Sequence, residues 1–228
     1  MNLYVIGTGS KGNCYLLCEN NHYIVLDCGL KFQEITSYTN FPSFSQIDFV
    51  WCSHQHGDHS KSLKNFKMSG CNCLTYENLK PELQKWNMGY WDCLTFPVSH
   101  NVPNWGIVIK SKQTNEKFCY VTDFCALPKI EGIDYWLFEV NYIEKYIDTM
   151  IDDGIDIQNL GFNNHFSLEQ AVDYFNSLQT RPKGITCCHL SQNNSIEDEI
   201  LKEMSIFADK VQIAHNWRKY GNRLKIGN

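Results

Sequence analysis

The chain has 228 residues, with 20 Lys and Arg against 25 Asp and Glu, which gives a formal net charge of −5 at pH 7. A chain of this length can build one large domain with a substantial core. The acidic balance disfavours extended contact with duplex nucleic acid, which needs a basic surface. No apolar run reaches the roughly 18 residues of a membrane-spanning helix. The sequence lacks a basic region followed by an apolar signal core, so we predict a cytoplasmic protein without membrane partners.

Hydrophobic periodicity divides the chain into predicted strands and helices. The first half has predicted strands at 3–6, 14–18, 23–27 and 47–52, followed by helices at 61–69 and 77–87. The second half has predicted strands at 93–98, 105–111, 117–122, 135–140, 184–188 and 210–214, and helices at 167–178 and 195–207. Groups of strands alternate with helices twice and no linker is evident. This pattern favours an α/β fold with two sheets face to face and helices outside, as one domain over 1–228.

Cysteines and charges give weaker signals. The 11 cysteines are scattered and lie mostly in apolar stretches, as reduced and buried residues do. Cys71 and Cys73 have no second pair to complete a zinc knuckle, so we interpret them as packing residues. The acidic stretch at 131–156 is interpreted mainly as a solvated helical face. A local basic lip is predicted at the C-terminus from Arg218, Lys219, Arg223 and Lys225.

The most informative segment is Ser53-His54-Gln55-His56-Gly57-Asp58-His59, which directly follows the predicted strand at 47–52. Imidazole nitrogen and carboxylate oxygen are ligands that zinc, manganese and iron accept. His54 and His56 alternate along a short extended segment, whereas Asp58 and His59 belong to the next turn. The spacing therefore predicts two metal ions rather than one.

Further donors follow later strands in the same manner. His100, Asp123 and His189 each stand at the exit of an apolar run. A single histidine at a strand end is usually structural, but four such exits with ligand residues indicate a shared site. His22 is interpreted as a surface residue in a turn, and a structural role is favoured for His215.

These residues resemble the signatures of the metallo-β-lactamase fold superfamily. The resemblance rests on Asp27-Cys28-Gly29, the segment from His54 to His59, His100, Asp123 and His189. Within the superfamily the chain resembles the WalJ/YycJ group, through Thr8-Gly9-Ser10-Lys11-Gly12-Asn13, Pro97-Val98-Ser99-His100, Phe138-Glu139-Val140-Asn141, His165-Phe166-Ser167 and His189-Leu190-Ser191-Gln192-Asn193-Asn194. The resemblance implies an αββα sandwich of two mixed sheets with metals at one edge.

The resemblance also implies roles for individual residues. His54, His56 and His100 are expected to hold one metal, and Asp58, His59 and His189 the other, with Asp123 bridging both. Asp27 is expected to orient the histidine loop without touching metal. A bridging hydroxide, which Asp58 helps to orient, attacks phosphorus. His165 is expected to act as general acid or phosphate clamp, with Glu139 holding its ring. Backbone N–H groups of the glycine-rich turn at 7–13 are a further candidate for binding phosphate.

The resemblance leaves three functions open. The first is a nuclease acting on nucleic-acid ends, as in the WalJ/YycJ group. The second is a phosphodiesterase for small cyclic nucleotides, as in phage anti-Pycsar proteins, and the third is a non-catalytic metal-binding scaffold. The acidic stretch at 142–164 departs from the basic segment of the WalJ/YycJ group and leaves room for a small nucleotide. Two divalent ions are expected, zinc first and manganese as alternative, and a homodimer is expected from the resembling families.

Overall fold

The computed structural model describes residues 1–152, 162–216 and 223–225, and within them the chain forms two mixed β-sheets. The first sheet contains β1 (Asn2–Gly7), β2 (Cys14–Glu19), β3 (His22–Leu26), β4 (Ile47–Cys52), β5 (Cys73–Thr75) and β13 (Arg223–Lys225), in the order β13-β1-β2-β3-β4-β5. The second contains β6 (Gln84–Met88), β7 (Trp91–Val98), β8 (Asn104–Ser111), β9 (Lys117–Val121), β10 (Tyr135–Glu139), β11 (Gly184–Cys188) and β12 (Lys210–Ile213), in sequence order from β12 to β6.

Each sheet has an antiparallel part and a parallel part. Strands β1, β2 and β3 pair antiparallel, whereas β3, β4 and β5 run parallel. In the second sheet β6 to β9 pair antiparallel, and β9 to β12 run parallel. Parallel strands end at the same edge of a sheet, and ligands bind outside those carboxyl ends. The parallel parts therefore determine which loops can form a common site.

Strand alternation divides the apolar residues among three clusters. One cluster fills the space between the sheets and includes Leu17 and Trp51 from the first sheet with Trp91 and Leu137 from the second. The opposite faces of the two sheets carry the other two clusters. The core thus has the three apolar layers that a four-layer sandwich requires.

The outer layers are formed by the helices α1 (Phe32–Thr36), α2 (Gly57–Ser60), α3 (Leu63–Met68), α4 (Glu144–Asp152), α5 (Leu168–Ser177) and α6 (Glu197–Met204). Helix α3 packs Phe66 against the first sheet, and α5 and α6 pack Phe175 and Met204 against the second. Ser167 caps α5, accepting the N–H of Gln170 as predicted. The predicted αββα sandwich is confirmed.

The helix predicted at 77–87 is wrong. A 3₁₀ turn covers Tyr76–Asn78, and β6 then pairs with β7 in a hairpin in which Gly89 has φ +67°. Pro81 interrupts the helical pattern, and alternate residues of β6 are exposed, which is the period of a strand. Trp86 packs against the inner core from this strand. Four further elements, α1, α2, β5 and β13, were not predicted from the sequence.

The charged and cysteine-rich segments show mixed outcomes. Acidic residues at 131–139 lie outside any helix, and Glu139 is fully buried in β10, so the solvated-helix interpretation is wrong for them. All 11 cysteines are free, and Cys71 and Cys73 pack at the edge of the outer cluster of the first sheet. Arg218 and Lys219 of the predicted basic lip lie outside the described residues. Among the helices that the structure describes, none is both long and apolar enough to span a membrane.

Candidate metal centre

Four strand exits converge on the carboxylate of Asp123. Its Oδ2 lies 3.4 Å from His59 Nε2, 3.6 Å from His54 Nε2 and 3.9 Å from His100 Nε2. Its Oδ1 lies 3.2 Å from His189 Nε2. These residues follow β4, β7, β9 and β11, so both sheets contribute to one cluster at the same end of the sandwich.

Three overlapping sets of potential ligands have atoms within 4.8 Å of one another among the described residues. The first donor group contains His54, His56, His100 and Asp123, and the second contains Asp58, His59, Asp123 and His189. The third set joins Asp123 and His189 to Glu139 and His165. All seven predicted ligands are thus brought together, in the two sets that the resemblance implied. Asp123 belongs to both groups.

The backbone turns abruptly where three strands enter the site. Asp27, Asp123 and His189 have φ values of 55°, 54° and 56° in the left-handed region, which few residues other than glycine adopt. Aspartate, asparagine and histidine are the types most often tolerated there. Such conformations cost on the order of 1 kcal/mol or more and cluster at functional sites, where the surrounding structure maintains them.

A buried network orients His59. The Asp27 carboxylate lies 2.6 Å from His59 Nδ1 and accepts hydrogen bonds from the backbone N–H of Ser53 at 2.8 Å, from its hydroxyl at 3.0 Å and from the hydroxyl of Tyr120 at 2.6 Å. The carboxylate oxygens are engaged in this network, and Asp27 is in neither donor group. Asp27 therefore fixes the ring of His59 and leaves Nε2 facing the other donors.

Close packing of the histidine loop requires a glycine. A Cβ atom added to Gly29 would lie 1.6 Å from the carbonyl oxygen of Asp58, whereas one added to Gly57 would meet nothing within 4 Å. The same carbonyl accepts the N–H of Asn13 at 2.7 Å. The loop that carries four of the donors is therefore anchored at Asp58 against two other segments.

His189 is held by two residues whose role the donor pattern did not predict. Asn141 Nδ2 donates to the carbonyl of His189 at 2.7 Å and lies 3.1 Å from its Nδ1. The Thr8 hydroxyl accepts the backbone N–H of His189 at 3.0 Å. The only signal for them was their place in the motifs on which the resemblance to the WalJ/YycJ group rests. In this arrangement His189 Nε2 is buried and makes no hydrogen bond of suitable geometry among the described residues, although Asp123 Oδ1 lies 3.2 Å away.

The donor chemistry fits divalent cations. Besides the orphaned His189 nitrogen, His56 Nδ1 lies 3.1 Å from His54 Nε2 and 3.3 Å from His100 Nε2. Three ring nitrogens that face one another in a buried site compete as acceptors, and a bound cation would satisfy all of them. Burial, reinforced by the nearby His59, lowers the pKa of His54 to about 2, which leaves its ring neutral and able to ligate a metal.

Carboxylates act on His189 in the opposite direction. Burial by itself lowers the pKa of His189, but the carboxylates of Asp123, Asp58 and Glu139 together raise that pKa above the usual value. Burial also opposes ionisation of Asp123, yet His189 and His59 hold the pKa of that carboxyl well below its usual range. A cation bound here takes the place of the protons that these rings otherwise retain.

A second histidine–carboxylate pair stands beside the cluster. His165 Nδ1 lies 2.7 Å from Oε1 of the fully buried Glu139, and the ring stacks on His189 with centroids 5.2 Å apart. Glu139 also accepts the backbone N–H of Asp123. Burial opposes protonation of His165, but the charge and hydrogen bond of Glu139, together with the charge of Asp123, raise its pKa to about 9. The two residues are adjacent to the donors, as the resemblance implied.

Other sequence candidates lie elsewhere. His22 is partly exposed on β3 and stacks on Tyr90 with ring centroids 4.1 Å apart. His215 Nε2 lies 3.5 Å from Glu197, outside both donor groups. Within the glycine-rich turn, the N–H groups of Gly9 and Gly12 bind Asn13 and Gly9, so these two donors do not face a phosphate.

Comparison with solved structures identifies the fold. The chain is similar to the metallo-β-lactamase fold protein YhfI from Bacillus subtilis, with 16% identity, 94% of this chain and 96% of that one covered, and a TM-score of 0.70. It is also similar to human tRNase Z, short form, with 12% identity, complete coverage of both chains (100% each) and a TM-score of 0.65. Yeast PDE1 matches with 11% identity, coverage of 98% and 99%, and a TM-score of 0.62.

No family model and no curated protein matches the chain. The structural similarity nevertheless extends over nearly the whole sequence. The chain therefore has the metallo-β-lactamase fold. The two donor groups lie at one end of its paired sheets.

Proposed function

We propose that this protein is a dinuclear-metal phosphodiester hydrolase. One observation carries the proposal: the Asp123 carboxylate lies between two sets of imidazoles, of which those of His54, His59 and His189 are buried, with the His165–Glu139 pair directly beside them. Phosphodiester hydrolysis needs charge stabilisation around phosphorus, an oriented water and a proton for the leaving oxygen. The residues of this site can supply each of these.

One ion would be held by His54, His56 and His100, and the other by Asp58, His59 and His189. Asp123 would contact both ions. When bound, paired divalent ions supply Lewis acidity toward a phosphoryl oxygen and an activated nucleophile. Zinc is the first expectation for this set of imidazoles and carboxylates, and manganese and iron are compatible with it. Elemental analysis of purified protein should give two ions per chain and identify them.

Asp58 is suited to orient the attacking water. Its side chain is 26% exposed, against 4% for Asp123 and for His189, so it is the more accessible of the two carboxylates. Asp58 Oδ2 lies 3.5 Å from His59 Nε2 and 3.8 Å from His189 Nε2, which fixes its position. A carboxylate placed in this way accepts a hydrogen bond from the water and aligns it for in-line attack.

His165 is suited to protonate the leaving oxygen. Its Nδ1 donates to Glu139, so Nε2 is the nitrogen that remains for the substrate. Glu139 is buried and also accepts the backbone N–H of Asp123, so the position of the acid is coupled to that of the central ligand. This pair gives His165 a defined tautomer and orientation, as a general acid requires.

For the substrate, we propose first a nucleic-acid end, as in the WalJ/YycJ group, and second a small cyclic nucleotide. The second candidate is favoured by the acidic surroundings of Tyr142, where the Glu144 N–H binds Glu169 and the Glu144 carboxylate accepts the Ser167 hydroxyl. Carboxylates beside the site repel an extended polyanion more than a single phosphodiester.

The discriminating experiment incubates metal-loaded protein with end-labelled DNA, end-labelled RNA and a panel of cyclic mononucleotides. For a polymeric substrate, binding should weaken steeply with salt because counterions are released, whereas a small nucleotide should respond weakly. Failure to hydrolyse any of these phosphodiesters, with two metals bound, would identify the protein as a metal-binding scaffold.

His165→Ala should lower kcat by about 10²–10⁴-fold without changing metal content, because it removes a general acid and no ligand. Asp58→Ala should lower both activity and metal affinity. His22→Ala is the matched control, because this histidine also pairs with a carboxylate but lies far along the strand from the site. Unchanged activity in His165→Ala or Asp58→Ala would contradict the role of that residue.

Homodimerisation, the single-domain organisation and the cytoplasmic location stay predictions. Light scattering of the full chain measures its mass in solution. A value twice the 26.5 kDa of one chain is expected for the dimer.

A further inference from the structure

A second cavity adjoins the metal centre on the side of the glycine-rich turn. It has a volume of about 620 Å³ and is lined by Thr8, Lys11, the segment after His189 and the residues around His215. Thr8 accepts the backbone N–H of His189, and Leu190 follows that ligand directly. The lining of the cavity is therefore connected to the ligand His189 both along the chain, through Leu190, and through the hydrogen bond of Thr8.

Backbone hydrogen bonds hold the loop after His189 at two points, and two amide side chains between these points line the cavity. The carbonyl of Asn141 accepts the N–H of Ser191 at 2.7 Å, and the carbonyl of Asn194 accepts the N–H of Ile143 at 2.9 Å. Between these anchors, Gln192 and Asn193 are exposed and line the cavity, and in the described part of the chain neither side chain has a hydrogen-bond partner.

The chemistry of the lining is polar with one cation. Amides and hydroxyls predominate, and Lys11 is the one lysine or arginine among the described lining residues. The lining also includes Glu197, whose carboxylate lies 3.5 Å from His215 Nε2. The volume is within the roughly 300–1,000 Å³ typical of small-molecule sites. An apolar ligand would find few partners here, whereas a polar group beside a phosphate would find many.

We propose that this cavity binds the nucleoside attached to the scissile phosphate, with Gln192 and Asn193 hydrogen-bonding the base edge and Lys11 attracting the phosphate. Each amide offers both a donor and an acceptor, which are the groups that an unpaired base presents on its edges. The proposal rests on the proposed phosphodiester hydrolysis and names the part of the substrate that is recognised. It applies to a cyclic mononucleotide and to the terminal nucleotide of a strand.

Isothermal titration of the metal-loaded full chain with nucleoside 5′-monophosphates, ribose 5-phosphate and inorganic phosphate tests the cavity without turnover. The best nucleotide should bind about tenfold more tightly than ribose 5-phosphate, the ratio expected from one or two net hydrogen bonds to the base. The double variant Gln192→Ala/Asn193→Ala should lose this ratio and bind ribose 5-phosphate as the unmodified protein does.

Lys11→Gln should weaken nucleotide and ribose 5-phosphate alike, and Lys64→Gln, an exposed lysine on α3 outside the cavity, should change neither. Equal affinities for nucleotide and ribose 5-phosphate, or a ratio that survives in the double variant, would overturn the proposal. If the protein binds the nucleotide more tightly than ribose 5-phosphate by this ratio but hydrolyses no phosphodiester, the proposed function is refuted and the nucleoside site is supported. Titrating a cyclic mononucleotide and a dinucleotide into His165→Ala shows whether the bound nucleoside belongs to a cyclic mononucleotide or to the end of a strand.

Discussion

Two histidine–carboxylate pairs in this fold differ in what surrounds them. At one end of β3, His22 Nδ1 lies 3.1 Å from Asp48, and the histidine side chain is 42% exposed. At the other end, His59 Nδ1 lies 2.6 Å from Asp27, and both side chains are fully buried. The sequence alone does not distinguish the two pairs, because each consists of one histidine and one aspartate in or shortly after strands of the first sheet.

The partners of each pair determine its role. His22 stacks on Tyr90, and Asp48 also accepts the indole N–H of Trp91 at 2.9 Å, so the pair is satisfied locally. The second nitrogen of His59, Nε2, instead lies 3.0 Å from Asn13 Nδ2, 3.4 Å from Asp123 and 3.5 Å from Asp58. A buried imidazole whose second nitrogen lies among further ligand atoms is a candidate metal ligand, whereas an exposed imidazole with local partners is structural.

The largest effect is expected from removing the carboxylate of Asp123. Asp123→Ala should abolish phosphodiester hydrolysis and remove at least one of two bound ions, because both donor groups share this carboxylate. Elemental analysis after dialysis measures the loss. His22→Ala should keep both ions. Full metal content in Asp123→Ala would contradict the assignment of Asp123 as the shared ligand.

Gly29→Ala should destabilise the protein by about 3 kcal/mol, since its Cβ would overlap the backbone of the histidine loop. Gly57→Ala in that loop is the matched control and should stay within about 0.5 kcal/mol, because its Cβ meets open space. Urea denaturation of both variants gives the free energies of unfolding. Equal stabilities would show that the loop does not need this close approach.

Asp27→Asn should weaken metal binding by about 10–100-fold, because the amide cannot hold His59, Ser53 and Tyr120 as a carboxylate does. Asp48→Asn makes the same change in the His22–Asp48 pair and should leave metal affinity unaltered. Its stability should fall by less than about 1 kcal/mol, as for an exposed ion pair. Competition with a chelating dye measures both affinities, and similar losses in the two variants would remove the distinction between the pairs.

The smallest effect is expected from deleting one hydroxyl. Tyr120→Phe removes one of the donors to Asp27 and should cost about 1 kcal/mol of stability together with a slight loss of metal affinity. Tyr90→Phe removes a donor to Glu19, 2.8 Å away, and should affect stability alone. A metal affinity that is unchanged in Tyr120→Phe would show that the other donors suffice to orient Asp27.

Much of the architecture was readable from the sequence because its signals are local. The apolar runs of β2 and β4 predicted buried strands, and Ser167 with Gln170 predicted the start of α5. The segment at 77–87 failed because its short apolar pattern fits either period, and pairing with β7 decided in favour of β6. Glu139 was difficult to place for a similar reason, since only the β10 register buries it beside Asp123.

The sequence by itself determined which atoms can bind metal and that each set of donors follows a strand, because side-chain chemistry and strand periodicity are properties of short segments. Tertiary structure decided the rest. The grouping of distant donors around Asp123, the enclosure of Asp27 and the cavity beside His189 depend on the register and packing of two sheets. Those contacts join residues far apart in the sequence, such as Asp27 with Tyr120 and Thr8 with His189, and no local pattern encodes their distances.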